Sequence, residues 1–178
     1  GLTSVGADGL NTSWTGSLTI KDISVLTSAD CTSCGTSFTG DLTILAGDVP
    51  DAFARSIPFT GTLTLGEGVT SIGSTAFYST AFSGELHLPE SLTAIGSSAF
   101  AYCHNFRGDI ILPDGIKTLE FGVFSGSDFD GTLTLPSGLE SIGSSVFRYC
   151  ENLTGDLIIP DSVRTIGNFA FKYNSNVK

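Results

Sequence analysis

The 178-residue chain has no methionine, one tryptophan, two histidines and only eight lysines and arginines. It has 18 acidic residues, so its formal net charge is −10. A surface of this charge repels polyanions, which argues against nucleic acid and anionic membranes as partners. Because the chain also lacks a run of about 18 apolar residues, we predict no insertion into a membrane.

Motifs that carry common enzyme chemistry are missing as well. The sequence contains no G-x-x-x-x-G-K-[ST] phosphate loop and no G-x-S-x-G nucleophile elbow. The two histidines, His87 and His104, fall at different positions of the repeat described below, so nothing pairs them in a site. We therefore predict that the protein is not an enzyme and binds no cofactor or metal.

The most prominent feature of the chain is an internal sequence repeat. Near-copies of one sequence open with a glycine at intervals of 21 to 24 residues, at Gly16, Gly40, Gly61, Gly84, Gly108, Gly131 and Gly155. A period of this length is typical of a solenoid, in which each unit buries its apolar face against its neighbours. We predict one solenoid domain over residues 1–178, with a partial repeat at 1–15. Neither end has a polar cap, so a segment of a longer protein is expected.

The best-kept units follow the pattern G-x-L-x-L-P-x-x-L-x-x-I-G-x-x-A-F-x-x-C. The alternation in residues 133–135 predicts a short strand with one buried face, and the proline after it ends that strand. A second apolar stretch, such as residues 92–95, precedes a glycine expected in a backbone geometry closed to other residues. The unit from Gly40 lacks this second stretch, so we expect a kink or bulge there. The predicted fold is a β-rich solenoid of 23–24-residue turns with short parallel strands and little helix.

Phenylalanines recur at two positions of the repeat. The first column is Phe53, Phe77, Phe100, Phe124, Phe147 and Phe171. The second is Trp14, Phe38, Phe59, Phe82, Phe106, Phe129, Leu153 and Val177. Their fixed place in the repeat indicates a stacked core rather than an aromatic ligand site.

The cysteines fall into two groups. Cys103 and Cys150 share a repeat position with side chains that can hydrogen-bond a neighbouring backbone, namely Cys34, Ser56, Thr80, Ser127 and Asn174. Two turns separate them by about 10 Å, which exceeds the roughly 7 Å Cα limit for a disulfide, so free thiols are expected. Cys31 and Cys34 form a C-x-x-C pair without the further ligands of a zinc site. A structural role is favoured for this pair, and a local disulfide is the alternative.

The repeat pattern resembles the BspA-like, or Treponema pallidum-type, leucine-rich repeats. The likeness is good over residues 61–178, loose over 1–39 and poor over 40–60. This resemblance implies a right-handed curved solenoid with parallel strands on its concave side and no catalytic residues. It further implies a secreted or cell-surface protein engaged in adhesion and protein–protein contacts, with host extracellular proteins as the expected class of partner.

A candidate partner-binding surface follows from the strand pattern. If the leucines of each first strand point inward, the residues on either side form two exposed columns, one partly acidic and the other carrying hydroxyls, a histidine and two isoleucines. These residues are Asp41, Thr43, Thr62, Thr64, Glu85, His87, Asp109, Ile111, Thr132, Thr134, Asp156 and Ile158. We expect a protein partner with basic residues to bind here. The alternative is a carbohydrate-binding or carbohydrate-active solenoid that uses the stacked acids as a glycosidase pair or a calcium site.

Overall fold

The chain winds into a β-solenoid whose parallel strands recur about every 23 residues. The computed structural model describes residues 14–25, 38–57 and 59–178. Within these ranges the only helical element is a 3₁₀ helix, Ile23–Val25. The strands there are β1 (Trp14–Thr15), β2 (Leu18–Ile20), β3 (Phe38–Thr39), β4 (Leu42–Ala46), β5 (Leu63–Gly68), β6 (Ser71–Ile72), β7 (Gly84–Glu85), β8 (Ala94–Ile95), β9 (Phe106–Arg107), β10 (Ile110–Ile111), β11 (Thr118–Leu119), β12 (Leu133–Thr134), β13 (Ser141–Ile142) and β14 (Thr165–Ile166).

The first ladder follows the opening glycines. It consists of a three-stranded sheet, β2-β4-β5, and a two-stranded sheet, β10-β12, both parallel. In the first sheet Leu18 pairs with Leu42, and Leu42 pairs with Leu63. These leucines are buried because alternate side chains of a strand point to the same side. The predicted inward leucines are therefore confirmed in both sheets.

The second ladder lies just before the glycine in the middle of each unit. Here β6 pairs with β8, and β11, β13 and β14 form a three-stranded parallel sheet. The unit from Gly40 contributes a single residue, Val49, which bridges to Ile72. Its first strand is irregular, since the register against β5 shifts between Ile44 and Ala46. The predicted irregularity is thus present, but the second strand is shortened to one bridge rather than lost.

A third ladder, which the sequence pattern did not reveal, lies where one unit passes into the next. Strand β1 pairs with β3, and β7 pairs with β9, again in parallel. An isolated parallel bridge joins Gly155 to Val177 at the same stage of the repeat. The chain therefore has three short stretches of strand in a turn.

Two columns of stacked phenylalanines fill the interior. In the first, Phe77, Phe100, Phe124 and Phe147 are fully buried, with adjacent ring centroids 5.3–5.7 Å apart and interplanar angles of 5–17°. The second column, exemplified by Phe106 and Phe129 at 5.6 Å and 11°, stacks in the same way. Between columns the rings meet edge-on, a preferred aromatic geometry, as in the pairs Phe77–Phe82, Phe100–Phe106 and Phe124–Phe129. The prediction of a stacked aromatic core is confirmed.

The unit from Gly40 departs from the predicted alignment by one residue. The Ala54 N–H donates to the Ala76 carbonyl, just as the Phe77 N–H donates to the Ala99 carbonyl. Ala54 therefore holds the backbone position of the first phenylalanine column, and Phe53 does not. The Phe53 ring fills the space from the neighbouring position and meets Phe77 edge-on, at 81°.

The same shift corrects the assignment of Ser56 to the cysteine position. We call the repeat position of Thr80, Cys103, Ser127, Cys150 and Asn174 the polar column. Ser56 has a φ of 56°, matching Ser79 with a φ of 54°, and each directly precedes this position. Ile57, which is buried, thus occupies the place held by Thr80 in the next turn. The prediction for Ser56 was wrong because this unit is shorter than the others.

The glycine in the middle of each unit is required for a different reason from the one predicted. Gly73, Gly96, Gly143 and Gly167 do not have a positive φ. The left-handed backbone falls two residues later, for example at Ser98, with a φ of 56°. A Cβ on Gly96 would instead lie 2.5 Å from the backbone nitrogen of Ser74 in the preceding turn. Glycine is present because adjacent turns approach closely at this point.

Replacing Phe100 with alanine should cost about 3–5 kcal/mol of the free energy of unfolding, because a fully buried ring between two stacked rings leaves a cavity. Chemical denaturation of Phe100→Ala and of the exposed control Thr134→Ala measures the difference. Equal and small losses in the two variants would contradict the assignment of the aromatic columns as the core.

Candidate functional site

We call the surface formed by the twelve predicted residues the strand face. Eleven of them are exposed, and Thr43 is half-buried. The first column occupies the second position of each unit, counting the opening glycine as the first: Asp41, Thr62, Glu85, Asp109, Thr132 and Asp156. The second column occupies the fourth position: Thr43, Thr64, His87, Ile111, Thr134 and Ile158. Between the columns lies the leucine or isoleucine of the third position, which is buried in five of these six units and partly buried at Leu157.

Two isoleucines are the most unusual side chains of the strand face. Ile111 is 59% exposed and Ile158 is 76% exposed, although other units have threonine or histidine at this position. Nothing in the described residues covers either side chain. The two units therefore expose apolar area at the same position of the strand face.

Two aspartates of the strand face connect successive turns. Asp41 Oδ1 accepts hydrogen bonds from the Thr62 backbone N–H at 2.8 Å and the Thr62 hydroxyl at 2.9 Å. Asp109 Oδ1 accepts the same two bonds from Thr132, at 2.6 and 2.9 Å. The backbone N–H of the threonine, followed by its hydroxyl, lowers the pKa of each aspartate because both bonds favour the charged carboxylate. These acids therefore have a structural role at the surface.

The first ladder is interrupted at the units from Gly84 and Gly155. Residues 86–88 and 157–159 belong to no strand, although their sequences follow the same pattern as the paired units. Three glycines open turns whose first strand is not paired with that of the preceding turn. Their φ values are similar, at 83° for Gly84, 81° for Gly108 and 85° for Gly155. Other turns have a first strand that pairs with the preceding turn. In these turns the φ of the opening glycine lies outside this narrow range, as it does at Gly40, Gly61 and Gly131. The left-handed glycine thus redirects the chain and separates successive first strands.

Two grooves open where the first strands separate. The first has a volume of about 320 Å³ and its lining includes Glu85, Leu86, His87, Glu90, Asp109 and Ile111. His87 Nε2 lies 3.4 Å from Glu85 Oε2 at its rim. The second groove has a volume of about 410 Å³ and its lining includes Leu133, Thr134, Leu135, Asp156, Ile158 and Pro160.

The two grooves are equivalent in the repeat. Asp109 and Ile111 line the first groove, and Asp156 and Ile158 occupy the same unit positions in the second. Neither groove is lined by lysine or arginine. The exposed isoleucine lies beside three carboxylates in the first groove and beside one, that of Asp156, in the second. The strand face therefore combines apolar contact area with negative charge.

The conserved pattern of the polar column has a structural explanation. The Cys103 thiol lies 3.1 Å from the Phe77 carbonyl, and the Cys150 thiol lies 3.1 Å from the Phe124 carbonyl. Ser127 Oγ donates to the Phe100 carbonyl at 2.6 Å in the turn between them. Both thiols are free and buried, as predicted. Cys31 and Cys34 lie outside the described residues, so their predicted role stays a prediction.

The described residues contain no group of three or more histidine, cysteine, aspartate or glutamate side chains that could hold a metal ion. Over the same residues, no helix is long and apolar enough to cross a bilayer. His87 and His104 line different surface depressions, so the structure does not bring them together.

Comparison with known families decides the classification. The BspA type leucine rich repeat region matches the chain in six copies over residues 50–178, which is more than half of its length. The chain belongs to the BspA-type leucine-rich repeat family. Searches of curated proteins and of solved structures gave no match. The repeats are therefore a BspA-type solenoid, and the resemblance seen in the sequence is confirmed.

The grooves were not foreseen from the sequence of these BspA-type repeats. One signal could have indicated them, namely the order of residues at the second position of successive units. Where aspartate is followed by threonine, as in Asp41–Thr62 and Asp109–Thr132, the turns are joined by side-chain hydrogen bonds and the first strands pair. Where threonine is followed by an acid, as in Thr62–Glu85 and Thr132–Asp156, the first strands separate, whereas they pair where serine precedes aspartate at Ser17–Asp41.

Replacing Asp41 and Asp109 with asparagine should reduce the loss of stability on acidification. A lowered folded-state pKa stabilises the protein above the unfolded pKa of about 3.9, and this contribution is lost as pH falls through the folded value. Thermal melts at pH 7 and pH 3 should therefore differ less for Asp41→Asn/Asp109→Asn than for the parent. The control is Asp114→Asn/Asp161→Asn, whose exposed carboxylates accept no hydrogen bond from another turn among the residues that the structure describes. An unchanged pH dependence in the first variant would contradict this role.

The thiols of Cys103 and Cys150 should be unreactive in the folded protein. Burial raises the pKa of the Cys103 thiol to about 11 and that of the Cys150 thiol to about 12, so little thiolate forms at neutral pH. In a Cys31→Ser/Cys34→Ser background, a disulfide reagent such as DTNB should label no thiol in native buffer and two thiols in denaturant. Rapid labelling of the folded chain would show that the polar column is open to solvent.

Proposed function

We propose that this BspA-type solenoid is a non-enzymatic protein-binding module whose strand face docks a partner at its two grooves. The observation that carries the proposal is the presence of Ile111 and Ile158 at one repeat position, each exposed in a groove that also contains at least one carboxylate. Leucine-rich repeats of this family are commonly protein-binding, which agrees with the surface.

The grooves define the chemistry of the partner. The two isoleucines are two turns apart, which corresponds to at least about 10 Å along the solenoid, because the first strands separate between Thr134 and Ile158. A partner that engages both grooves needs two apolar side chains at about this separation. It also needs lysine or arginine beside them, because the first groove is lined by Glu85, Glu90 and Asp109 and by no lysine or arginine, and His87 contacts Glu85 alone among these acids.

The competing proposal of a carbohydrate-active solenoid has less support from the strand face. A glycosidase needs one carboxyl group with a raised pKa as the general acid. The pKa values of Asp41 and Asp109 are lowered by their hydrogen bonds to threonine, so both groups are poor proton donors. A binding role is also compatible with a secreted or surface-exposed protein that adheres to host extracellular proteins, and we propose this as its setting.

The test is a binding screen with the parent chain against immobilised extracellular-matrix and plasma proteins, followed by titration of any partner with Ile111→Thr/Ile158→Thr. Both positions are exposed, so the double variant should keep its stability to within about 0.5 kcal/mol. Its affinity should fall at least about ten-fold, as expected for the loss of two apolar anchors.

The matched control is Ile166→Thr, because Ile166 is 51% exposed but belongs to the second ladder. This variant should bind as tightly as the parent. A partner that binds the double variant and the parent equally well would show that recognition does not use the strand face.

A further inference from the structure

A second surface lies beyond the aromatic core, where each unit turns after its buried phenylalanine. One position there has a left-handed backbone in every described turn, and it is occupied in order by Ser56, Ser79, Tyr102, Gly126, Tyr149 and Tyr173. The tyrosine rings are accessible, with Tyr102 42% and Tyr149 40% exposed. Gly126 therefore interrupts a column with tyrosine on both sides, and the Tyr102 ring packs against it, since a Cβ on Gly126 would lie 2.8 Å from Tyr102 Cδ1.

Basic side chains of the protein itself lie over tyrosines along this surface. The Arg55 guanidinium is 5.4 Å from the ring centroid of Tyr78, and the Arg148 guanidinium is 4.6 Å from that of Tyr149. Lys172 Nζ is 4.8 Å from the ring centroid of Tyr173. These cation–π contacts come from one repeat position, directly before the left-handed residue.

Three successive turns lack such a cation. The equivalent position is Tyr78 in the turn of Ser79, Ala101 in the turn of Tyr102 and Ser125 in the turn of Gly126. A cleft of about 360 Å³ lies at Gly126, and we call it the tyrosine cleft. It is lined by Gly126 together with Tyr102, His104, Asp128, Tyr149, Glu151 and Asn152. The cleft thus has the aromatic walls of this column without the basic side chain found elsewhere.

The tyrosine cleft contains carboxylates instead of a lysine or arginine side chain. Asp128 and Glu151 line the cleft, and Asp128 Oδ1 lies 3.5 Å from His104 Nδ1. The Glu151 carboxylate makes no hydrogen bond or ion pair within the described residues. Two acids beside exposed aromatic faces favour a positively charged group.

The nearby arginines do not fill the cleft. Arg148 lies within 5.5 Å of Phe169 and 5.8 Å of Tyr173, so its guanidinium is turned towards the last turn and away from Tyr102. Arg107 Nη1 donates to three backbone carbonyls, those of His104, Phe106 and Asp128. Neither arginine lines the cleft.

We propose that the tyrosine cleft binds an arginine side chain of a protein partner. The planar guanidinium lies in the cleft against Tyr102 or against the face of Tyr149 opposite Tyr173, whose ring stacks on Tyr149 at 4.5 Å. Its N–H groups donate to the carboxylates of Asp128 and Glu151. The site is separate from the strand face and does not depend on the function proposed for that face.

The direct test is a titration of the 178-residue chain with acetyl-arginine amide, followed by NMR of the tyrosine ring resonances. Saturable shifts of Tyr102 and Tyr149 are expected in the millimolar range, which is usual for so small a probe. Acetyl-citrulline amide has the same shape without the charge, and it should bind at least about five-fold more weakly. Methyl glucoside serves as the probe for a sugar-binding site.

Substitutions test separately the carboxylates of the tyrosine cleft, its open space and its independence from the strand face. Asp128→Asn/Glu151→Gln should weaken arginine binding about five-fold or more, whereas the exposed control Asp114→Asn/Glu140→Gln should not. Ser125→Arg restores a basic side chain at the repeat position where Arg148 and Lys172 occur, and it should abolish binding by filling the cleft. Ile111→Thr/Ile158→Thr should leave arginine binding unchanged, which keeps this test independent of the strand face.

Several outcomes would overturn the proposal. No saturation with acetyl-arginine amide in a folded parent chain would do so, as would equal affinity for acetyl-citrulline amide. Saturation by methyl glucoside alone would reassign the cleft to a sugar. Because the backbone spectrum of each variant reports its folding, retained arginine binding in folded Ser125→Arg would also exclude the cleft.

Discussion

The stacking of one turn on the next is the interaction on which the rest of this structure depends. Each unit is too short to enclose a core, and it becomes stable only when its phenylalanines lie between those of its neighbours. Parallel stacking within each column and edge-on contact between columns use both favourable aromatic geometries at once. At the regular spacing of the rings, the backbones of adjacent turns lie close together. A Cβ on Gly96 would therefore collide with the preceding turn.

Variation in the surface is possible because the aromatic columns hold the turns together. The first strands pair in some turns and separate in others, yet Phe100, Phe124 and Phe147 remain stacked throughout. The grooves beside Ile111 and Ile158 can therefore open without disrupting the core. The tyrosine cleft arises in the same manner, since Gly126 removes one side chain from a surface column without altering the buried residues beneath it. The two grooves and the tyrosine cleft thus arise from changes at single positions of the repeat.

Sequence periodicity was sufficient for the architecture and for the outward orientation of the strand face. It failed in the unit from Gly40, because a short unit can be aligned at either of two adjacent residues, and only the bond from the Ala54 N–H to the Ala76 carbonyl settles the choice. It placed Asp41 and Asp109 correctly in an exposed column but gave no indication of their contacts with the next turn. Their carboxylates hold threonines of the next turn, and this contact is visible only when the turns are stacked.

The sequence by itself determined the period, the buried columns, the family and the positions that face outward. These properties are local or repeat identically in each unit, so one chain contains several independent copies of the same evidence. Only the tertiary structure decided where first strands separate, how the grooves and the tyrosine cleft are lined, and which basic side chains already cover a tyrosine. These features depend on the backbone angle at single glycines such as Gly108 and on contacts between residues about 23 positions apart, which no single unit encodes.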